Sequence, residues 1–325
     1  MPLHPRLQAI LDRHGHLGFI TPSQRTQEQS DAHEAAVKTM PKFALAPAVN
    51  AGPVNVRLFD HWKSPDVVAD VGFVFPRFHQ LTGSCVGAGG GQALFSLIAV
   101  QRNIADTPTK AFIPFWPFDY GRCRYNEGDR GQGEGAMGSS FAETVAKEGV
   151  INATESGLPA FQNDDGLVLT ESLEMQWSDG GSSTVTKYLE AAKVHPVGTA
   201  AQMNSIADVR AALENGYPIT FACDDYIGNA SVQNGVLIGY WDSNGGHQQS
   251  LHAVWDHDNL GPLYWAQNNW PSSSYASDPA GGPVCGCWVK EAKVVSAMQN
   301  LSAEVYALSH LNWFPAQPSV LSWLI

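Results

Sequence analysis

The chain is short of thiols, short of bases and without a long apolar run. Five cysteines stand among 325 residues. An odd, scattered set excludes a disulfide scaffold, and Cys285 and Cys287 lack the CxxC spacing of a zinc site, so reduced thiols and no metal are expected. Nineteen Lys and Arg face 31 Asp and Glu, a net charge of -12 with no basic cluster. Nucleic acid and an anionic membrane surface are therefore excluded as partners. No stretch approaches the roughly 18 apolar residues that cross a bilayer. The opening Met1-Pro2-Leu3-His4-Pro5-Arg6 lacks the apolar region of a signal peptide, so a cytoplasmic chain is expected rather than a secreted one. What is present is enough apolar residue, 44%, for a full core, and only 15% charge, which points to a polar-neutral surface with long loops.

Along the chain, residues 1–52 read as a leader. Pro5 to His14 is a short amphipathic helix with Leu7, Ile10 and Leu11 on one face. Ser23 to Met40 is polar and helix-prone, and Pro41 to Pro53 is a linker or strap. A domain then spans 53–300, with a helical lobe over about 75–185 and a sheet lobe over about 186–300; 301–325 is a tail. Val54 to Leu58 alternates as an edge strand. Gly83 to Val100 is an apolar helix opening at Ser84-Cys85, and Ser139 to Lys147 is a helix stopped by Gly149. Residues 151–183 read as surface loop. Ile206 to Glu214 is a helix, and Ile219–Cys223, Gly235–Tyr240, Leu251–Trp255 and Leu263–Ala266 are short strands. Helices first and sheet second predict an α+β protein of two lobes.

Cys85 lies in His79-Gln80-Leu81-Thr82-Gly83-Ser84-Cys85. A thiol in the first helical turn faces unpaired N–H groups and the positive end of the dipole, which favour thiolate. His252 lies in a strand, Ser250-Leu251-His252-Ala253-Val254. A catalytic imidazole needs a polar group to fix its tautomer, and Asn268, one hairpin downstream, is placed to supply it.

Taken together, Gln80, Gly83-Ser84-Cys85, His252-Ala253-Val254 and Asn268-x-Trp270 resemble the papain-like family of cysteine peptidases (the C1 type), over roughly residues 53–298. The resemblance implies a papain-like fold, with a helical N-terminal lobe and an antiparallel sheet or barrel as the C-terminal lobe. It implies Cys85 as nucleophile, His252 as base, Asn268 as its orienting amide, Gln80 as oxyanion donor and Trp270 as the cover over the His–Asn bond. It also implies Gly135, Ala136 and Met137 as the strand beside the substrate, a peptide or protein as substrate, and no cofactor. There are departures. Gln80 stands five residues before Cys85 where many members have six, Pro271 replaces the usual Gly after Trp270, and the leader lacks the helical motif of standard propeptides.

Other readings stay open at this level. Gly83-x-Cys85-x-Gly87 fits a nucleophile elbow, but the helices and strands do not alternate as that fold requires. Gly87-Ala88-Gly89-Gly90-Gly91 imitates a phosphate loop but lacks the following Gly-Lys-Ser/Thr, and close packing beneath the sheet lobe is the expected role. Asp256-His257-Asp258 with His247 reads as a solvated turn rather than a metal site. The fold can also serve as a structural or binding module in a large assembly such as a virus particle. Docking would then use residues 1–52 or the apolar tail Val320–Ile325.

Overall fold

The computed structural model describes residues 5–310 apart from 45–53, 73, 75–77, 105–108, 130–132, 160–161, 164–165, 168–169, 179–182, 196 and 271–274. The tail segment Val320–Ile325, Pro271 and most of the strap before Pro53 lie outside the described residues.

The leader holds α1 (Pro5–His14) and α2 (Gln27–Thr39). Thr26 caps α2 through a capping box with Gln29, so the helix begins there and not at Ser23. A short strand β1 (Asn55–Arg57) and α3 (Pro65–Val71) lead to α4 (Cys85–Ile104), α5 (Trp116–Asn126) and α6 (Gly138–Glu148). The glycines of α4 are contact points. A β-carbon on Gly87 or Gly91 would stand within 2.7 Å of Tyr120 or Trp116 in α5, and one on Gly90 would meet the Phe141 ring at 2.1 Å. Only Gly89 faces the sheet lobe, 2.9 Å from Gln248 O. The run therefore packs helix on helix more than helix on sheet.

Residues 151–183 are not simply a loop. They include a two-residue hairpin, β2 (Gln162–Asn163) and β3 (Gly166–Leu167), and α7 (Glu171–Trp177), whose Glu174 and Trp177 are buried. Two short helical turns, α8 (Ser183–Thr186) and α9 (Leu189–Ala192), complete this side.

The second lobe is a seven-stranded sheet with path β4 (Thr199–Gln202), β9 (Glu304–Ser309), β5 (Ile219–Gln233), β6 (Val236–His257), β7 (Gly261–Gln267) and β8 (Gly286–Lys290), with β1 added against β6. Helices α10 (Ile206–Glu214) and α11 (Glu291–Met298) flank it. Asn234-Gly235, with φ of 46° and 80°, turns β5 into β6 as a two-residue hairpin. The two strands predicted in Gly235–Tyr240 and Leu251–Trp255 are one continuous strand. Ile238, near the start of β6, also meets Trp288 of β8, so the sheet curls back on itself as a barrel does. The structure moves one boundary: the segment from 301 is not all tail, because β9 lies between β4 and β5 with Val305–Leu308 buried. Among the described residues, no helix is long and apolar enough to cross a membrane.

Candidate active site

Cys85 is the first residue of α4 and is wholly buried where α4 meets β6. Its Sγ accepts the Gln248 N–H at 3.3 Å. The loop ahead of it is held by a buried residue of α7, within the stretch expected to be surface loop. The Glu174 carboxylate of α7 accepts from Leu81 N (3.0 Å), Thr82 N (3.1 Å), Thr82 Oγ1 (2.5 Å) and Ser84 Oγ. Burial pushes the Glu174 carboxyl up to about 7, with these donors pulling the other way. Tyr120 of α5 donates to Gly83 O at 3.0 Å and accepts from Gly135 N at 2.9 Å, so it ties the cysteine loop to the Gly135–Met137 strand. Arg124, buried, donates to Gly133 O and Gly135 O, and Glu127 accepts from Met137 N.

His252, the imidazole expected to serve this thiol, is engaged elsewhere. His252 is wholly buried between two hydroxyls, with Ser96 Oγ 2.7 Å from Nδ1 and Ser250 Oγ 2.6 Å from Nε2. Its ring stands edge-on to Trp62, and burial pushes its pKa down to about 3. Both nitrogens are occupied inside the core, which leaves none for a reacting group. Asn268 instead meets His247, with Oδ1 2.8 Å from Nε2. Trp270 lies over the same ring at 5.1 Å between centroids, and the Asn268 amide donates onward to Tyr275 Oη at 2.7 Å. His247 Nδ1 is buried and makes no hydrogen bond. His247 immediately precedes Gln248, the residue whose N–H reaches Cys85 Sγ. The unpartnered imidazole nitrogen thus belongs to the residue next to the one whose amide reaches the thiol.

The cause of the exchange is register. Ser250 pairs with Gln267, and a bulge between Leu251 and Ala253 takes His252 out of the ladder. Asn268, one residue past Gln267, lies toward the earlier half of β6, where His247 is. The sequence marks this place with Gly245-Gly246-His247-Gln248-Gln249, whose glycines admit a second chain, and His247 is buried there and not part of a solvated turn.

That second chain is the leader. Leu17 N donates to Gly246 O at 2.8 Å, Ala136 N donates to Gly18 O at 2.9 Å, and Ile20 N donates to Ala136 O at 3.0 Å. Gly18, at φ 123°, lies against the cysteine loop, where a β-carbon would stand 2.3 Å from Gly83 O and 2.9 Å from Cys85 N. The Gln80 amide donates to Leu17 O at 2.8 Å and to Thr82 O at 3.0 Å. Gln80 thus faces the cleft with a leader carbonyl on it. Farther on, Gln202 N donates to Pro41 O and Phe43 N to Gln202 O, adding the leader to the edge of β4. Leu17 and Phe19 are wholly buried, and burying each contributes about 1.5–3 kcal/mol.

With the leader seated, Cys85, His247 and Asn268 are all buried. Burial pushes the Cys85 thiol up, opposed by the backbone N–H groups around it, and holds His247 down at about 4 despite Asn268.

No protein-family model matches the chain, and no curated protein matches it. Among solved structures it is similar to xylellain, a cysteine protease from Xylella fastidiosa, at a TM-score of 0.53 and 17% identity over 82% of this chain and 91% of that one. It is also similar to procathepsin B S9 from Trypanosoma congolense, at 0.52 and 8% over 93% of this chain and 97% of that one. These likenesses show a papain-like, two-lobe α+β fold.

Proposed function

We propose that the chain is a cysteine peptidase held latent by its own residues 5–43, with Cys85 as nucleophile and His247, not His252, as its acid–base partner. The observation that carries this reading is the Asn268–His247 pair under Trp270, one residue from the amide that reaches Cys85 Sγ. A tautomer fixed at Nε2 leaves Nδ1 to exchange a proton with the thiol.

In the mechanism, withdrawal of the leader readmits water and a peptide. The Cys85 proton passes to His247, and the thiolate attacks the peptide carbonyl carbon as the carbon–oxygen π pair moves onto oxygen. The Gln80 amide, freed from Leu17, and the Cys85 N–H at the start of α4 bond that oxyanion. Collapse breaks the C–N bond, His247 gives its proton to the departing amine, and an acyl-thioester remains. Water then attacks the thioester, yields its proton to His247, and the acid departs as the Cys85 thiolate re-forms. Ala136 is the backbone strand for the substrate, the role its two hydrogen bonds to the leader now fill.

The test is a maleimide or epoxide probe, with peptide hydrolysis read in parallel after the leader has been displaced. Cys85 is expected to react ahead of Cys123, Cys223, Cys285 and Cys287, with that lead lost in His247→Ala and kept in His252→Ala. Equal reaction of all five thiols would sink the reading.

A further inference from the structure

We infer that Tyr275 is a positioning residue of this site. Its hydroxyl, tied to the Ile227 carbonyl, sets which way the Asn268 amide points and so which nitrogen of His247 carries the proton. The inference rests on the peptidase reading for its effect on turnover, and on the hydrogen bonds alone for its effect on the ring.

Four buried residues form one chain of hydrogen bonds. His247 Nε2 lies 2.8 Å from Asn268 Oδ1, Asn268 Nδ2 donates to Tyr275 Oη at 2.7 Å, and Tyr275 Oη donates to Ile227 O at 2.7 Å. A backbone carbonyl can only accept, so the last link fixes the direction of those before it. The phenol proton is committed to Ile227 O, which leaves Tyr275 Oη as an acceptor for the Asn268 amide. At the other end of that amide, Asn269 N donates to Asn268 Oδ1 at 2.8 Å. Turning the amide over would set oxygen against a committed hydroxyl and N–H against N–H. With Oδ1 held as an acceptor toward the ring, Nε2 carries the hydrogen and Nδ1 keeps its lone pair.

The carbonyl that anchors the chain lies where β5 is irregular. Its pairing with β6 shifts register on both sides of Ile227, between Tyr226 and Ile227 and again between Ile227 and Asn229. The phenol ring is held by Trp270, which stacks on it at 6.2 Å between centroids and also lies over His247. Burial pushes the Tyr275 hydroxyl well above its ordinary range, so it keeps the proton that it gives to Ile227 O. When His247 takes up a proton, Asn268 Oδ1 faces an imidazolium, and the aligned donors behind it strengthen that bond.

Tyr275→Phe removes the hydroxyl and keeps the ring against Trp270. Nitrogen NMR of isotope-labelled histidine rings in the full chain is expected to show His247 wholly protonated at Nε2, its signal identified by its loss in His247→Ala. In Tyr275→Phe a fraction protonated at Nδ1 is expected to appear. After the leader has been displaced, kcat for peptide hydrolysis should fall about three- to tenfold, the scale of one lost hydrogen bond, with KM within about twofold of the parent. Para-aminophenylalanine in place of Tyr275 still donates to Ile227 O but accepts poorly; it should give the same shift and carries the test if Tyr275→Phe does not fold. A tautomer change without hydrolysis by either protein would keep Tyr275 as the anchor and remove the peptidase reading. A ring that stays wholly protonated at Nε2 in the variant, with kcat unchanged, would overturn the role of Tyr275 and leave the peptidase reading intact.

Discussion

Asn268 Oδ1 stands 2.8 Å from His247 Nε2, and the other nitrogen of that ring is buried without a hydrogen bond. A side-chain amide that fixes one nitrogen and leaves its neighbour open prepares an imidazole for proton transfer. His252, five residues along the same strand, has no open nitrogen.

The two histidines should therefore separate cleanly on mutation. His247→Ala is expected to lower peptide hydrolysis by about 10²–10⁴-fold, the usual scale of a lost acid–base group, with little change in the urea midpoint. His252→Ala should do the reverse. It leaves the Ser96 and Ser250 hydroxyls facing a void, at about 1–3 kcal/mol of stability, and spares turnover in the folded fraction. Kinetics and urea melts on the two variants decide it.

Gly18 is the tightest point of the leader. Its φ of 123° and the 2.3 Å approach of a β-carbon to Gly83 O leave no room for a side chain. Gly18→Val should unseat residues 16–20, and Cys85 should become alkylated at least about tenfold faster, the ratio for a docking loss of about 1.4 kcal/mol or more. Unchanged Cys85 protection in this variant would show that the leader does not guard the thiol.

Acid should loosen the leader. His247 is held at about 4 by burial, and His16 at about 4 by burial reinforced by His14 and Arg124, against an ordinary 6.5. His33 is also lowered by burial, although Glu304 pulls it back. The seated state disfavours the charged form of these rings, so its stability is whole above pH 6.5 and is lost as pH falls below it, through the window toward 4 for His16 and His247. Reaction of Cys85 with a dipyridyl disulfide should accelerate across that window. Glu174, raised to about 7, moves overall stability the other way, so thiol exposure is the informative readout and a melt is not.

Removing Glu174 should disable the cysteine loop from a distance. Glu174→Ala strands two backbone N–H groups and two hydroxyls in the interior, which costs about 1–3 kcal/mol for each group that water cannot reach. Turnover per folded molecule is expected to fall as the Leu81–Ser84 segment loosens. Glu174→Gln, which keeps an acceptor, should recover part of both losses.

The order of lobes, the helix opened by Cys85 and the strand β7 were legible because each rests on a local pattern: an apolar run begun at a Ser-Cys step, or alternation closed by a turn. The choice between His247 and His252 was not local. Both sit in β6, and only the Ser250–Gln267 register with its bulge decides which faces Asn268. Glu174 was hidden for a related reason. Its surroundings in sequence are polar and loop-like, and its burial follows from α7 docking behind the cysteine loop. Glu304 lies inside the segment 301–325 read as a tail, where nothing nearby in sequence marks a carboxylate bound to Arg25. The leader showed its helices and its strap, but the three places where its backbone joins the domain are set by tertiary contact alone.

The position of β9 has a consequence for how the protein comes into being. Strand β4 finds its sheet partner in β9, and β5 needs β9 on its other edge, so this side of the sheet stays unpaired until residues 304–309 have been synthesised. The leader leaves the ribosome some 250 residues earlier. Its Arg25 has no Glu304 to meet, and its Pro41–Phe43 no completed β4 edge, until translation has passed that strand. Restraint is thus made first and the restrained site last, and a growing chain never displays a finished cleft without the segment that fills it.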